Sequence, residues 1–319
     1  MTDAVRKAAM KIFAALPLKT IIPWLIFILV LYIIVMLFGS SGVDSDTAIL
    51  DVAMSSVGEA PIVQAFVYIS IGSMAKETMA DYSIATLRTL GGWKGAVYIL
   101  TDKPSCFVDT AKAYGVVPVK VPDRLSKSIM EIKSLKAMMF EYLPKEINSV
   151  IYLDVDIVLQ KPVRHFLIDI GSSYKKMHGN FDIGAFPDAE GHYLGFCNGC
   201  EKWHSGVLLV RRNEGEGCLK AWGKIITSAE FSTDQESLDA AENRGHCKHL
   251  LTMPPSYLLF AKDYIAMALT SGHTFVHITA AGRLETQDYF YKNIIVPRLR
   301  GKSGEAAMIL SKEKQCSTD

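Results

Sequence analysis

Two aspartates separated by one valine close an apolar run, SVIYL followed by Asp154, Val155 and Asp156 and then IVLQKPV. On extended backbone, residues two apart face the same way, so both carboxylates can converge on one hard divalent cation that also holds phosphate oxygens. A buried strand ending in two acids needs a charge partner, which separates this pair from solvated loop carboxylates. Lys133 and Lys136 lie one turn apart on the segment leading into that strand, and either can face it. His204, Ser205 and Gly206 open the apolar run HSGVLLVRR, and Asp234 and Gln235 follow Ser232 and Thr233 where a helix would be capped. His277 ends the stretch TFVHI. A neutral imidazole there would complete an oxygen and nitrogen site of the kind Mn²⁺ accepts. His273 lies nearer a glycine-containing turn and is the poorer candidate.

These residues need a scaffold, and the pattern from Ala65 onward supplies one. AFVYISI, AVYILTD, VVPVKV and SVIYLDVDIVL read as strands. MADYSIATLRTLG, CFVDTAKAYG and SKSIMEIKSLKAMMFEYLP read as helices between them, ended by Gly91 and Gly92, by Gly115 and by Pro144. Alternation of this kind predicts an α/β fold with a mostly parallel sheet, helices on both faces and ligands beyond the carboxyl ends of the strands.

Bulk properties narrow the function further. The 319 residues carry 34 Lys plus Arg against 33 Asp plus Glu, so a net charge of +1 gives no overall reason to bind nucleic acid. The mean hydropathy of +0.19 is high, and one source is Ile21 to Phe38, an apolar run of about 18 residues that can span a bilayer. Arg6, Lys7, Lys11 and Lys19 precede the run and Asp44, Asp46 and Asp51 follow it, which places the N-terminus in the cytosol; a cleaved signal peptide is the competing reading, with an apolar region usually shorter than this run. The expected organisation is a cytoplasmic tail (1–20), a signal anchor (21–38), a small-residue stem (39–64), a catalytic domain (65–300) and a polar tail that frays (301–319). The domain would then face an oxidising lumen of the Golgi or endoplasmic reticulum, compatible with Cys106, Cys197, Cys200, Cys218, Cys247 and Cys316, whose pairing the sequence leaves open.

The ordered blocks resemble glycosyltransferase family 8 and the glycogenin-like enzymes: a Lys-bearing helix, YLDVDIVL, HSGVLLVRR, TDQESLD and FVHITAAGR. That resemblance spans roughly residues 65–300 and implies a GT-A fold. It implies a nucleotide-sugar donor, a UDP-sugar foremost, whose diphosphate is held by Mn²⁺ or Mg²⁺ on Asp154, Asp156 and His277. By the same resemblance Lys136 contacts the diphosphate, Ser205 and Gly206 line the sugar pocket, and Asp234 and Gln235 lie beside the anomeric carbon. Arg283 stands where a phosphate-reaching lysine is usual, and Ser70, Gly72, Thr101 and Asp102 line the base and ribose. His204 departs from the family's asparagine.

The implied reaction is hexosyl transfer, with retention, to a hydroxyl of a glycan or glycoprotein. Two other readings use the same residues. Asp154 to Val158 also fits the letter pattern of a haloacid-dehalogenase-type phosphatase, although that motif ends the first strand of its core and here other strands precede it. A non-catalytic domain with an altered site is the third.

Overall fold

β1 (Ala65–Ile69) shows why the sheet is covered twice: Phe66 and Tyr68 enter one apolar cluster while Ala65, Val67 and Ile69 enter another, and all five are buried. The computed structural model describes residues 62–126, 128–177, 181–188, 203–260, 272–278 and 290–300, with 314 and 316. In it, β2 (Ala96–Thr101), β3 (Val117–Lys120), β4 (Ser149–Leu153), β6 (Ile183–Pro187), β7 (Trp203–Arg211) and β8 (Leu250–Thr252) join β1 in a sheet ordered β3-β2-β1-β4-β7-β6-β8. β7 runs against both its neighbours; the other pairings are parallel. The carboxyl ends of β1, β2, β4 and β6 therefore share one rim with the start of β7.

The first face holds α1 (Met79–Thr89), α2 (Val108–Tyr114) and α4 (Arg164–Lys176), which deliver Leu87, Tyr114 and Phe166 to the first cluster. The second holds α3 (Ile129–Met138), α5 (Glu216–Thr227) and α6 (Asp234–Asn243), which deliver Leu135, Trp222 and Leu238 to the other. Gly115 ends α2 with φ +60°, a conformation that favours a residue without Cβ.

The fourth strand differs from its sequence reading. SVIYLDVDIVL is not one strand: β4 stops at Leu153, Asp154 to Asp156 form a turn closed by Ile157 N–H donating to Asp154 C=O (3.1 Å), and β5 (Ile157–Leu159) belongs to a second sheet. That sheet is ordered β5-β10-β9, with β9 (Leu258–Phe260) and β10 (Phe275–His277). Apolar residues on both sides of the turn made the run look continuous, because both strands are fully buried.

Two further boundaries shift. Ile62 and Gln64, read as the end of the stem, are fastened to the sheet: the Ser149 hydroxyl donates to Ile62 C=O, and Gln64 Oε1 accepts from the Asn148 and Ser149 N–H groups at 2.6 and 3.0 Å. The tail expected to fray is tied down at Cys316, disulfide-bonded to Cys106, and at Lys314, paired with Asp81 at 2.9 Å. A second disulfide joins Cys218 and Cys247. Cys197, Cys200, Arg283 and the apolar run 21–38 lie outside the described residues, among which no helix is long and apolar enough to cross a membrane.

Candidate functional site

The rim gathers the site. Asp154 leaves β4 with its N–H donating to Gly206 C=O at 2.8 Å, which brings the start of β7 against the aspartate turn. Gly206 is required by this approach: a Cβ there would lie 2.5 Å from His204 Cε1 and 2.8 Å from Asp154 Oδ2. Across the turn, β10 pairs antiparallel with β5 so that His277 lies opposite Ile157, and Ile278 N–H donates to Asp156 C=O at 3.0 Å. His277 Nε2 stands 3.4 Å from Asp156 Oδ2, and its ring meets that of His204 edge-on with centroids 4.9 Å apart. His273 precedes β10, at the strand's other end.

A buried ion network fills the second-cluster side. Lys136 Nζ, on α3, is 3.0 Å from Asp154 Oδ1 and 2.8 Å from Asp234 Oδ2, and it also donates to Ser205 C=O at 3.2 Å. Lys133 reaches Asp234 Oδ1 at 2.9 Å, so the two lysines left as alternatives both enter, with Lys136 alone touching the aspartate turn. Ser205 Oγ donates to Asp234 Oδ2 at 2.6 Å, and the Tyr152 hydroxyl donates to Asp154. Burial pulls Lys136 downward, but Asp154 and Asp234 outweigh it and hold the ammonium above its usual pKa. Burial raises Asp234, yet Lys136 and Lys133 reverse this and keep its carboxyl below the usual range. Asp154 is raised by burial; Lys136 opposes the shift, while Asp156 and Asp234 add to it.

Asp234 opens α6 without capping it. Thr233 is the cap, accepting from Glu236 N–H at 3.0 Å while Glu236 returns the bond, a capping box that leaves the Asp234 side chain to the lysines. The neighbouring Gln235 Nε2 donates to Asp188 Oδ2 at 3.1 Å. Sequence reading missed Asp188. Its signal was the one that marked Asp154, an apolar strand (IGAFP) ending in an acid at the same rim.

At the β1 and β2 ends, Gly72 N–H donates to Asp102 Oδ1 at 3.0 Å, so these two residues are brought together, and Thr101 Oγ1 accepts from Lys103 N–H at 3.1 Å. Ser70 is buried and its hydroxyl has no hydrogen-bond partner among the described residues. Such an unmade bond costs about 1–3 kcal/mol, which a ligand can recover.

By donor chemistry, two carboxylates and an imidazole suit a hard divalent cation that also accepts nitrogen, such as Mn²⁺, and Asp156 with His277 already forms a two-donor edge. Asp154 is turned to Lys136 and Tyr152, and no three His, Cys, Asp or Glu side chains among the described residues are gathered to hold a metal ion.

No protein-family model and no curated protein matches the sequence. Solved structures match by shape. The galactosyltransferase LgtC, crystallised with donor and acceptor sugar analogues, superposes with a TM-score of 0.51 at 12% identity over 78% of this chain and 96% of its own. WbbM, a bifunctional glycosyltransferase in its apo form, gives 0.52 at 12% identity over 79% of this chain and 52% of its own. At such identity the likeness establishes the fold: a mixed α/β domain with a mainly parallel central sheet, matching GT-A glycosyltransferases.

Proposed function

We propose that this chain is a glycosyltransferase that moves a hexose-type sugar from a nucleotide-diphosphate donor, a UDP-sugar foremost, to a hydroxyl of a glycan or glycoprotein acceptor. The observation that carries this reading is the meeting, at the carboxyl ends of the parallel strands, of the Asp154–Asp156–His277 turn with the Lys136–Asp234–Ser205 network. The likeness in fold to LgtC, whose structure holds donor and acceptor sugar analogues, supports it.

A divalent cation of the Mn²⁺ type on Asp154, Asp156 and His277 would offset the charge that grows on the departing nucleoside diphosphate. Lys136 adds a buried ammonium that keeps its proton and can donate to a phosphate oxygen. Asp234, held ionised by the lysines, is positioned to accept a sugar hydroxyl, while Asp188 fixes the Gln235 amide next to it. Gly72 and Asp102 offer a backbone and carboxylate pair to the nucleoside end. Transfer with retention and Arg283 as a further phosphate contact are part of the proposal on family resemblance. The apolar run 21–38 is proposed as a type II anchor in the Golgi or endoplasmic reticulum, and the two disulfides support an oxidising lumen for the domain.

Incubation of the full chain with Mn²⁺, UDP- and GDP-sugars and glycan acceptors tests the reading. Donor-dependent release of nucleoside diphosphate supports it. Hydrolysis of a generic phosphoester instead, lost in Asp154→Asn, would favour the phosphatase.

A further inference from the structure

We propose that the Tyr291 hydroxyl is a ligand-binding donor of this site, committed to a phosphate oxygen of a nucleoside diphosphate; the proposal rests on the nucleotide-donor reading above. Tyr291 opens the π-helix Tyr291–Ile295, a backbone form rare in general and frequent at functional sites. Its ring stacks on Tyr82 of α1, with centroids 4.5 Å apart and planes 14° from parallel. The next residue, Ser83, donates from its hydroxyl to Ile157 C=O, and Ile157 directly follows Asp156. Ser83 thus holds α1 against the residue that follows the aspartate turn, on the face opposite Lys136, and Tyr291 packs on that helix within reach of the Asp156 charge.

Tyr291 is 4% exposed, and its hydroxyl has no hydrogen-bond partner among the described residues. The stack and the apolar packing of the ring would be met equally by phenylalanine, so no described residue makes use of the hydroxyl. Burial, then the charge of Asp156, Tyr82 and Glu77, push the phenol well above its usual pKa, so it keeps its proton and acts as a donor. The acceptor must come from outside the described residues. A phosphate oxygen fits, because Asp156 and His277 mark the proposed diphosphate position, whereas Gly72 and Asp102, the nucleoside contacts, lie at the ends of β1 and β2.

Tyr291→Phe in the full chain tests this through binding of UDP with Mn²⁺, binding of uridine, and thermal stability without ligand. We expect an unchanged or raised melting temperature, UDP binding weakened about tenfold, and uridine binding unchanged. UDP binding equal to wild type, or an equal loss for UDP and uridine, would overturn the assignment, as would a variant that melts earlier without ligand. A wild-type chain that binds no UDP would overturn the nucleotide reading itself, an outcome distinct from a wild-type chain that binds UDP as its variant does.

Discussion

Lys136 and Lys314 are buried to the same degree, each with a side chain 7% exposed and an aspartate within 3 Å, yet opposite electrostatic outcomes follow. At the rim, Asp154 and Asp234 lift Lys136 above its usual pKa, and Asp234 is held below its own. At the tail, burial outweighs Asp81 and the weaker pull of Glu77 and lowers Lys314, while Asp81 is raised by burial despite Lys314 and the Thr110 hydroxyl. Around the aspartate turn the described carboxylates of Asp154, Asp156 and Asp234 outnumber the two ammoniums of Lys133 and Lys136. At the tail, Lys314 pairs with Asp81, donates to Glu77 C=O at 3.2 Å and rests 3.6 Å from the Phe107 ring centroid, and the Cys106–Cys316 disulfide closes the contact. A matched pair under a covalent tie is a latch. A surplus of carboxylates is what the proposed cation would offset.

Removing the surplus should have the largest effect. Asp156→Ala should lower Mn²⁺-dependent sugar transfer by about 10²–10³-fold with an unchanged circular dichroism spectrum. Undiminished transfer would undo the metal-site assignment.

The two lysines can then be compared directly by denaturant titration. Lys136→Met takes the ammonium from Asp154 and leaves the buried Asp234 with Lys133 alone, and should cost about 3–5 kcal/mol. Lys314→Met should cost less than about half of that, because Asp81 keeps the Thr110 hydroxyl as a hydrogen-bond donor. The double variant Asp81→Leu with Lys314→Met should fall within about 1 kcal/mol of wild type. Equal costs for the single variants would break the contrast.

Gly206→Ala, which pushes a methyl into His204 and Asp154, should cost about 1–3 kcal/mol in the same assay and raise the KM for donor.

The smallest effect is the pH dependence. Asp234 has a depressed folded pKa, so its stability is present above the unfolded value, about 3.9, and is lost as pH falls below that; the advantage of wild type over Asp234→Asn should shrink there. Asp81 has a raised folded pKa, so its contribution is complete below about 3.9 and is lost as pH rises through the folded value; Asp81→Asn should gain on wild type in that range. Denaturation curves of the two variants between about pH 2.5 and 6.5 check both signs.

Local pattern carried much of this fold. Strand and helix alternation gave β1 to β4 and α1 to α3, the rim logic gave Asp154 and Asp156, and the polar pair before Asp234 gave a helix cap at Ser232 or Thr233, of which the structure uses Thr233. What stayed hidden depended on distant partners. The split of β4 from β5 is set by β10, far along the chain, and the same apolar letters serve both sheets. Lys314 and Asp81 are 233 residues apart, and nothing in either neighbourhood announces the other. Asp188 and Tyr291 entered through tertiary contacts with Gln235 and Tyr82, which no spacing rule reaches.

The central claim is that the rim binds a nucleotide-sugar diphosphate and releases the sugar to an acceptor. Its most direct test is nucleoside diphosphate release by the full wild-type chain across UDP- and GDP-sugars with Mn²⁺ and glycan acceptors, set beside Asp156→Ala. The account predicts turnover with at least one UDP-sugar, lost in the variant; release that is absent for every donor, or equal in the two proteins, would contradict it.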